Sequence, residues 1–172
     1  MPALQSRCSL LMISTDAGCS RERDVSDEGE RPFWKAKRLD ELSQDEWEQL
    51  CDGCGKCCLE KLEDADTGEI SYTEVACRLL DIRRCRCTRY AERRRFVPNC
   101  EQLRPTNIHR FNWLPSSCAY RLLANGQDLP WWHHLVSGER DLVHRVGASA
   151  RGRAIPEWRA GPLEHHIVTW PA

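Results

Sequence analysis

Cys51-Asp52-Gly53-Cys54-Gly55-Lys56-Cys57-Cys58 is the stretch on which the reading of this chain turns. A CxxC loop bends tightly enough to aim two thiolates at one ion. Glycines at 53 and 55 permit the bend and let backbone amides approach the sulfurs. Cys54 and Cys57 repeat the spacing, so three sulfurs can converge from seven residues of chain. Cys57 and Cys58 are neighbours whose side chains diverge, by about 100° on a helix and more on a strand, which suits them to different sites.

Working outward, nine of the eleven cysteines lie between Cys51 and Cys118. Cys51, Cys54, Cys57 and Cys58 form the primary ligand set. Cys77, Cys85, Cys87, Cys100 and Cys118 are candidates to close the shell. Four would complete one four-thiolate site, and eight would complete two. Cys8 and Cys19 are kept out of the set, and a start of translation at Met12 would remove the first of them. All-sulfur coordination by zinc is a structural arrangement whose binding energy, of order 10 kcal/mol, becomes folding energy. A CxxCxxC run plus a remote cysteine is also a way to hold a [4Fe–4S] cluster, although the ferredoxin pattern wants its fourth cysteine three residues on and then a proline. Here Cys58 follows Cys57 at once.

Dense cysteine means disulfides in an exported chain and metal or redox chemistry in a cytoplasmic one. The apolar stretch Leu10-Leu11-Met12-Ile13 is shorter than a signal-peptide core, and Asp16 stands where a lipoprotein box before Cys19 wants an aliphatic residue. No run reaches the roughly 18 apolar residues of a membrane span. The expectation is a cytoplasmic protein with no membrane partner. With 25 basic and 26 acidic side chains the net charge is −1, so no global field draws the chain to nucleic acid.

The expected organisation is a disordered extension over residues 1–31 and one domain over 32–172. Ser43-Gln44-Asp45-Glu46 spells a capping box, with Leu42 and Trp47 placed for a hydrophobic staple, so a short helix is predicted to deliver Cys51. Asp66-Thr67-Gly68 reads as a turn before an extended segment at Glu69–Tyr72. A helix is predicted next, burying Val75, Ala76, Leu79, Leu80 and Ile82 and carrying Cys77. Another runs from Ser117 to Ala124, capped by Ser116, carrying Cys118 and ended by Gly126. Trp131, Trp132, Leu135, Val136, Leu142 and Val143 suggest further helix, and Ile155, Ile167 and Val168 short strands. The fold class is therefore mainly α with a few short strands, a small cysteine-rich domain stabilised by metal.

Phe33-Trp34, the run from Cys51 to Cys58, Val75-Ala76-Cys77-Arg78, Cys85-Arg86-Cys87, Asn99-Cys100 and Trp113-Leu114-Pro115 through Cys118-Ala119-Tyr120-Arg121-Leu122-Leu123 resemble the bacterial YcgN proteins. These stand among the CxxCxxCC cysteine-cluster proteins related to YkgJ. The resemblance covers residues 32–145 and implies zinc or iron chelation without naming a reaction.

Weaker signals stand beside it. Arg83, Arg84, Arg86, Arg89, Arg93, Arg94 and Arg95, with Tyr90 and Phe96 interleaved, form a stretch suited to RNA, another anionic partner or a protein. The near-zero net charge favours reading it as a solvated face. His133-His134 and His165-His166 are adjacent pairs that project apart, so core or surface roles suit them better than ligation. No phosphate loop, GxSxG elbow or HExxH is present. The chain thus reads as a cysteine-ligated metal-binding protein holding zinc or an iron–sulfur centre. The competing readings are a redox-active iron–sulfur electron carrier or oxidoreductase component, an RNA- or protein-binding module with structural zinc, and thiol–disulfide exchange.

Overall fold

The capping box forms as spelled: the Ser43 hydroxyl accepts from the Glu46 amide, and the Glu46 carboxylate accepts from the Ser43 amide at 2.8 Å. The helix it starts, α2, spans Gln44–Gln49 and presents Trp47 to the interior. This computed structural model describes residues 31–171. The predicted disordered extension, residues 1–31, lies outside the described residues apart from Arg31, as do Cys8 and Cys19.

Six short α-helices and five strands follow the chain among the described residues. The helices are α1 (Phe33–Ala36), α2, α3 (Arg93–Phe96), α4 (Ala119–Ala124), α5 (His134–Ser137) and α6 (Leu142–Arg145). The strands are β1 (Leu59–Glu63), β2 (Ile70–Ala76), β3 (Leu80–Asp81), β4 (Arg86–Cys87) and β5 (Ile155–Pro156). The expectation of a mainly α fold is overturned. Among the described residues no α-helix exceeds six residues, β1, β2 and β5 form a three-stranded sheet, and turns and coil join the rest, so the class is small mixed α/β.

The error has one clear source. The segment from Val75 to Ile82, predicted helical, is the end of β2, a turn closed by the Leu80 amide on the Cys77 carbonyl at 2.8 Å, and β3. Its apolar spacing fits a helix, but the backbone groups find partners across strands: β1 and β2 pair antiparallel with Leu59 opposite Ala76, and β3 pairs β4 with Leu80 opposite Cys87. The β1–β2 turn is the predicted one, gathered by Asp64, whose carboxylate accepts from the amides of Asp66 and Thr67. β5 adds parallel to β2, placing Ile155 beside Val75, and Ile167 bridges to Thr73. Near these two positions the sequence had suggested strands.

Two buried clusters result. One joins Trp47, Leu50, Ile108, Leu114, Ala119, Tyr120 and Leu129, with Leu42 packed against it as the staple requires. The other joins Leu59, Ala76, Leu80, Cys85 and Ala150. Trp47 ties the first cluster together. Its ring lies 4.6 Å from that of Tyr120, its indole N–H donates to the Leu103 carbonyl, and its own carbonyl accepts the Tyr120 hydroxyl at 3.0 Å. The predicted helix near Ser117 begins later, at Ala119. Cys118, not Ser116, occupies the cap position, and it does so without a side-chain bond.

Candidate metal centre

The Cys51–Cys58 stretch is a loop held at its ends and bent by its glycines. α2 stops at Gln49, so Cys51 leaves the helix into an open turn. Asp52 accepts the Cys54 amide at 2.9 Å, and both Gly53 and Gly55 adopt left-handed backbone, at φ +75° and +73°. The carboxyl-terminal part of the chain braces the loop twice. His133, fully buried, uses Nε2 to donate to the Leu50 carbonyl at 3.0 Å while its Nδ1 accepts the Leu135 amide, and the Ala150 amide donates to the Cys54 carbonyl at 2.8 Å. His133 therefore has the core role expected of it, but its ring stacks on that of His134 at 4.6 Å instead of projecting away from it. Its contact with the residue before Cys51 could not be read from sequence, because 83 residues separate donor and acceptor.

Cys51, Cys54 and Cys57 line one cavity of about 30 Å³, and Cys118 is the fourth cysteine in its wall. Leu50, Gly55, Leu103, Pro115, Ala119 and Tyr120 complete the lining together with Asp52. Cys51 and Cys57 retain exposed surface at the mouth, and Cys54 and Cys118 are half-buried. The surrounding protein strips hydration from the thiols and pushes Cys51, Cys54 and Cys118 upward, the last to about 12. Each also feels the charge of Cys57, which makes the four a single electrostatic group. Among the described residues no three Cys, His, Asp or Glu side chains stand as a ready-made ligand set. The sulfurs surround one cavity without closing into a shell.

Cys57 departs from its neighbours. Its sulfur lies 3.9 Å from that of Cys58, and this hydrogen bond, with the nearby Lys61 ammonium, lowers Cys57 to about 7 and raises Cys58. Lys61 is fastened in place by the carbonyls of Cys57 at 3.2 Å and Leu59 at 2.5 Å and sits over the rings of Tyr72 and Trp113. Lys56, buried, donates to the Ser117 hydroxyl beside Cys118. Two cations thus flank the cysteine loop. Both lay within the quoted motif or close to it, but only the strand pairing of Lys61 with Tyr72 shows where the second one points.

The remaining candidates divide. Cys58 packs toward the second core cluster, and its carbonyl accepts the Cys77 amide at 2.9 Å. Cys87 lies on β4 and Cys100 on the loop after α3, both half-buried. Cys85 is buried in the second core cluster, with its sulfur 3.7 Å from the Ile82 carbonyl and its Cβ against Gly55. It is the one non-glycine described residue with positive φ, at 52°. The structure uses it as a floor beneath the loop. Of the arginine stretch, Arg83, Arg84, Arg86, Arg89, Arg94 and Arg95 are exposed, Arg93 stacks on Tyr90, and Arg84 and Arg95 meet Asp81 and Glu92. Among the described residues no helix is long and apolar enough to cross a membrane.

Residues 50–119 match the family described as "CxxCxxCC: Putative zinc- or iron-chelating domain". The chain is 61% identical over 140 residues to a UPF0260 protein of Gluconacetobacter diazotrophicus, covering 81% of this chain and 88% of the relative. It is 60% identical to one of Granulibacter bethesdensis, over 81% and 84% of the two chains. A third, from Parvibaculum lavamentivorans, is 56% identical over 84% and 95%. No solved structure matches.

Proposed function

The chain belongs to the UPF0260 family, and from that premise we propose that it is a metal-binding protein in which Cys51, Cys54, Cys57 and Cys118 hold one zinc ion or iron–sulfur centre. The observation that carries the reading is the convergence of these four cysteines, three from one loop and one from the start of α4, on a single small cavity. The donor set suits a soft cation, since four sulfurs and no competing imidazole line the walls. A cavity of about 30 Å³ admits one ion as it stands, whereas a cubane requires the walls to move apart. Bound there, zinc supplies a closed structural tie between the loop and α4; an iron–sulfur centre would add electron transfer.

The residues around the cavity serve that role. Lys61 and Lys56 offset the negative charge of ionised sulfurs, and Tyr120 and Leu50 keep the inner wall dry. The nine described cysteines carry no disulfide, which accords with a reducing, cytoplasmic setting. The YcgN-like placement within the family rests on the likeness of the motifs from Phe33 to Leu123. The exposed arginines of the Arg83 to Arg95 stretch are the surface at which an anionic partner would dock.

Elemental analysis of protein prepared without oxygen tests the proposal. Cys54→Ser and Cys118→Ser should each lose the metal held in the cavity, and Cys54→Ser should also destabilise the domain. Colourless protein with stoichiometric zinc identifies the tie; brown protein with iron and sulfide identifies the redox centre. Unchanged metal content in both variants would refute the ligand assignment.

A further inference from the structure

The cysteines left outside the cavity are not scattered. Leu59 and Ala76 are antiparallel partners, and just beyond that pair, where Cys58 closes the Lys56–Cys58 turn and Cys77 follows β2, the Cys77 amide donates to the Cys58 carbonyl at 2.9 Å. The chain then turns at Cys77–Leu80, and the β3–β4 hairpin returns Cys87 to the position opposite Leu80, with the Thr88 amide on the Leu79 carbonyl at 2.8 Å. Cys100 ends a turn from Val97, and Arg78, the residue after Cys77, anchors the preceding Phe96 carbonyl with its guanidinium. Two backbone pairings and one side-chain contact therefore bring four cysteines to one end of the two hairpins, although among the described residues no three of them already stand as a ligand set. Their electrostatics agree: Cys100 and Cys87 both act on Cys77, Cys87 acts on Cys100, and Cys77 acts on Cys58.

We propose that Cys58, Cys77, Cys87 and Cys100 form a second thiolate site for a soft divalent cation, separate from the cavity at Cys118 and adjoining it through the Cys57–Cys58 pair. The proposal rests on the reading of the cavity as a metal site, because it is the assignment of Cys57 there that leaves Cys58 free to face the hairpins. All four sulfurs are half-buried and none is in a disulfide. The ninth cysteine, Cys85, is excluded by its place in the core beneath Gly55. Binding exchanges thiol protons for the cation, so no oxidant or reductant is involved. The second site would fasten the β3–β4 hairpin and the Val97–Cys100 turn to the sheet.

Titration of the reduced, metal-free full-length chain with Co²⁺ under argon, followed by the sulfur-to-cobalt absorption, tests it. The wild type should saturate at two equivalents, Cys100→Ser and Cys87→Ser at one, Cys118→Ser at one, and Cys100→Ser/Cys118→Ser at none. The equivalent retained by Cys100→Ser shows that this variant still folds its other site. One equivalent in the wild type with Cys100→Ser unchanged would overturn the second site and leave the first standing, whereas two equivalents retained in Cys118→Ser would overturn the first. No binding by Cys100→Ser would overturn the separateness of the two sites.

Discussion

On the Cys51 side of the loop the sulfurs are carried by helix ends, and on the Cys58 side they hang from strand ladders. α2 delivers Cys51, Cys118 stands at the cap of α4, and Trp47 and Tyr120 lock the two helices through a ring contact and a hydrogen bond. Across the loop, Cys58 continues into β1, Cys77 follows β2 and Cys87 sits on β4, with a smaller core behind them. One side is thus held by large apolar side chains and the other by backbone hydrogen bonds. That difference implies different vulnerabilities: side-chain truncation should damage the helical side, and backbone strain should damage the loop where it meets the strands.

Trp47→Ala should have the largest effect of the substitutions that spare every cysteine, costing about 3–5 kcal/mol in urea unfolding, because it removes the indole from the Tyr120 contact and orphans the Leu103 carbonyl. A cost below about 1 kcal/mol would mean that the helical side is not held as described.

The second probe is pH. His134 is buried, stacked on His133, and its Nε2 lacks a protein partner; burial and the His133 charge lower it to about 4. The unfolded chain, with an ordinary histidine near 6.5, binds the proton first as pH falls. The stabilising contribution is therefore complete above pH 6.5 and is lost on acidification through 4, by of order 3 kcal/mol. His134→Phe should lose that part of the pH dependence. Urea midpoints at pH 7 and pH 4.5, taken for both proteins so that metal release affects each alike, measure the difference, and parallel curves would exclude His134 as its source.

Glycine substitutions then separate strain from crowding. Gly53 and Gly55 share left-handed backbone, but a Cβ at 53 meets nothing within 4 Å, whereas one at 55 comes 3.1 Å from the Cys85 Cβ. Gly53→Ala should cost about 1 kcal/mol and Gly55→Ala about 1–3 kcal/mol, with reduced metal content only in the latter. Equal costs would show that Cys85 does not support the loop.

The smallest effect belongs to Lys61. In metal-free protein at neutral pH, Cys57 should react with iodoacetamide ahead of the other cavity cysteines, and Lys61→Met should slow that reaction a few-fold by returning the thiol toward its ordinary range. An unchanged rate would assign the ionisation of Cys57 to Cys58 alone.

How much of this was legible depended on the distance along the chain between interacting groups. The capping box at Ser43 and Glu46 and the turn at Asp64–Gly68 involve partners within five residues, and both form as the sequence spells them. The helix predicted through Val75–Ile82 failed because apolar spacing alone does not say which backbone groups will be paired. Leu59, 17 residues upstream, is the partner that makes Ala76 a strand residue. Cys118 stood as an equal among five distal cysteines until α4 brought it into the cavity wall, and Cys85 is set apart from the others by its burial against Gly55.

The amino-acid sequence by itself determined that sulfur would be concentrated at one glycine-bent loop, since a CxxCxxCC spacing and the left-handed freedom of glycine are local properties of the chain. Only the tertiary structure decided which distal cysteine lines the cavity, which lysine lies against Cys57 and which histidine holds Leu50. Those pairings are made by strand register and core packing, which bring together residues that no local pattern connects.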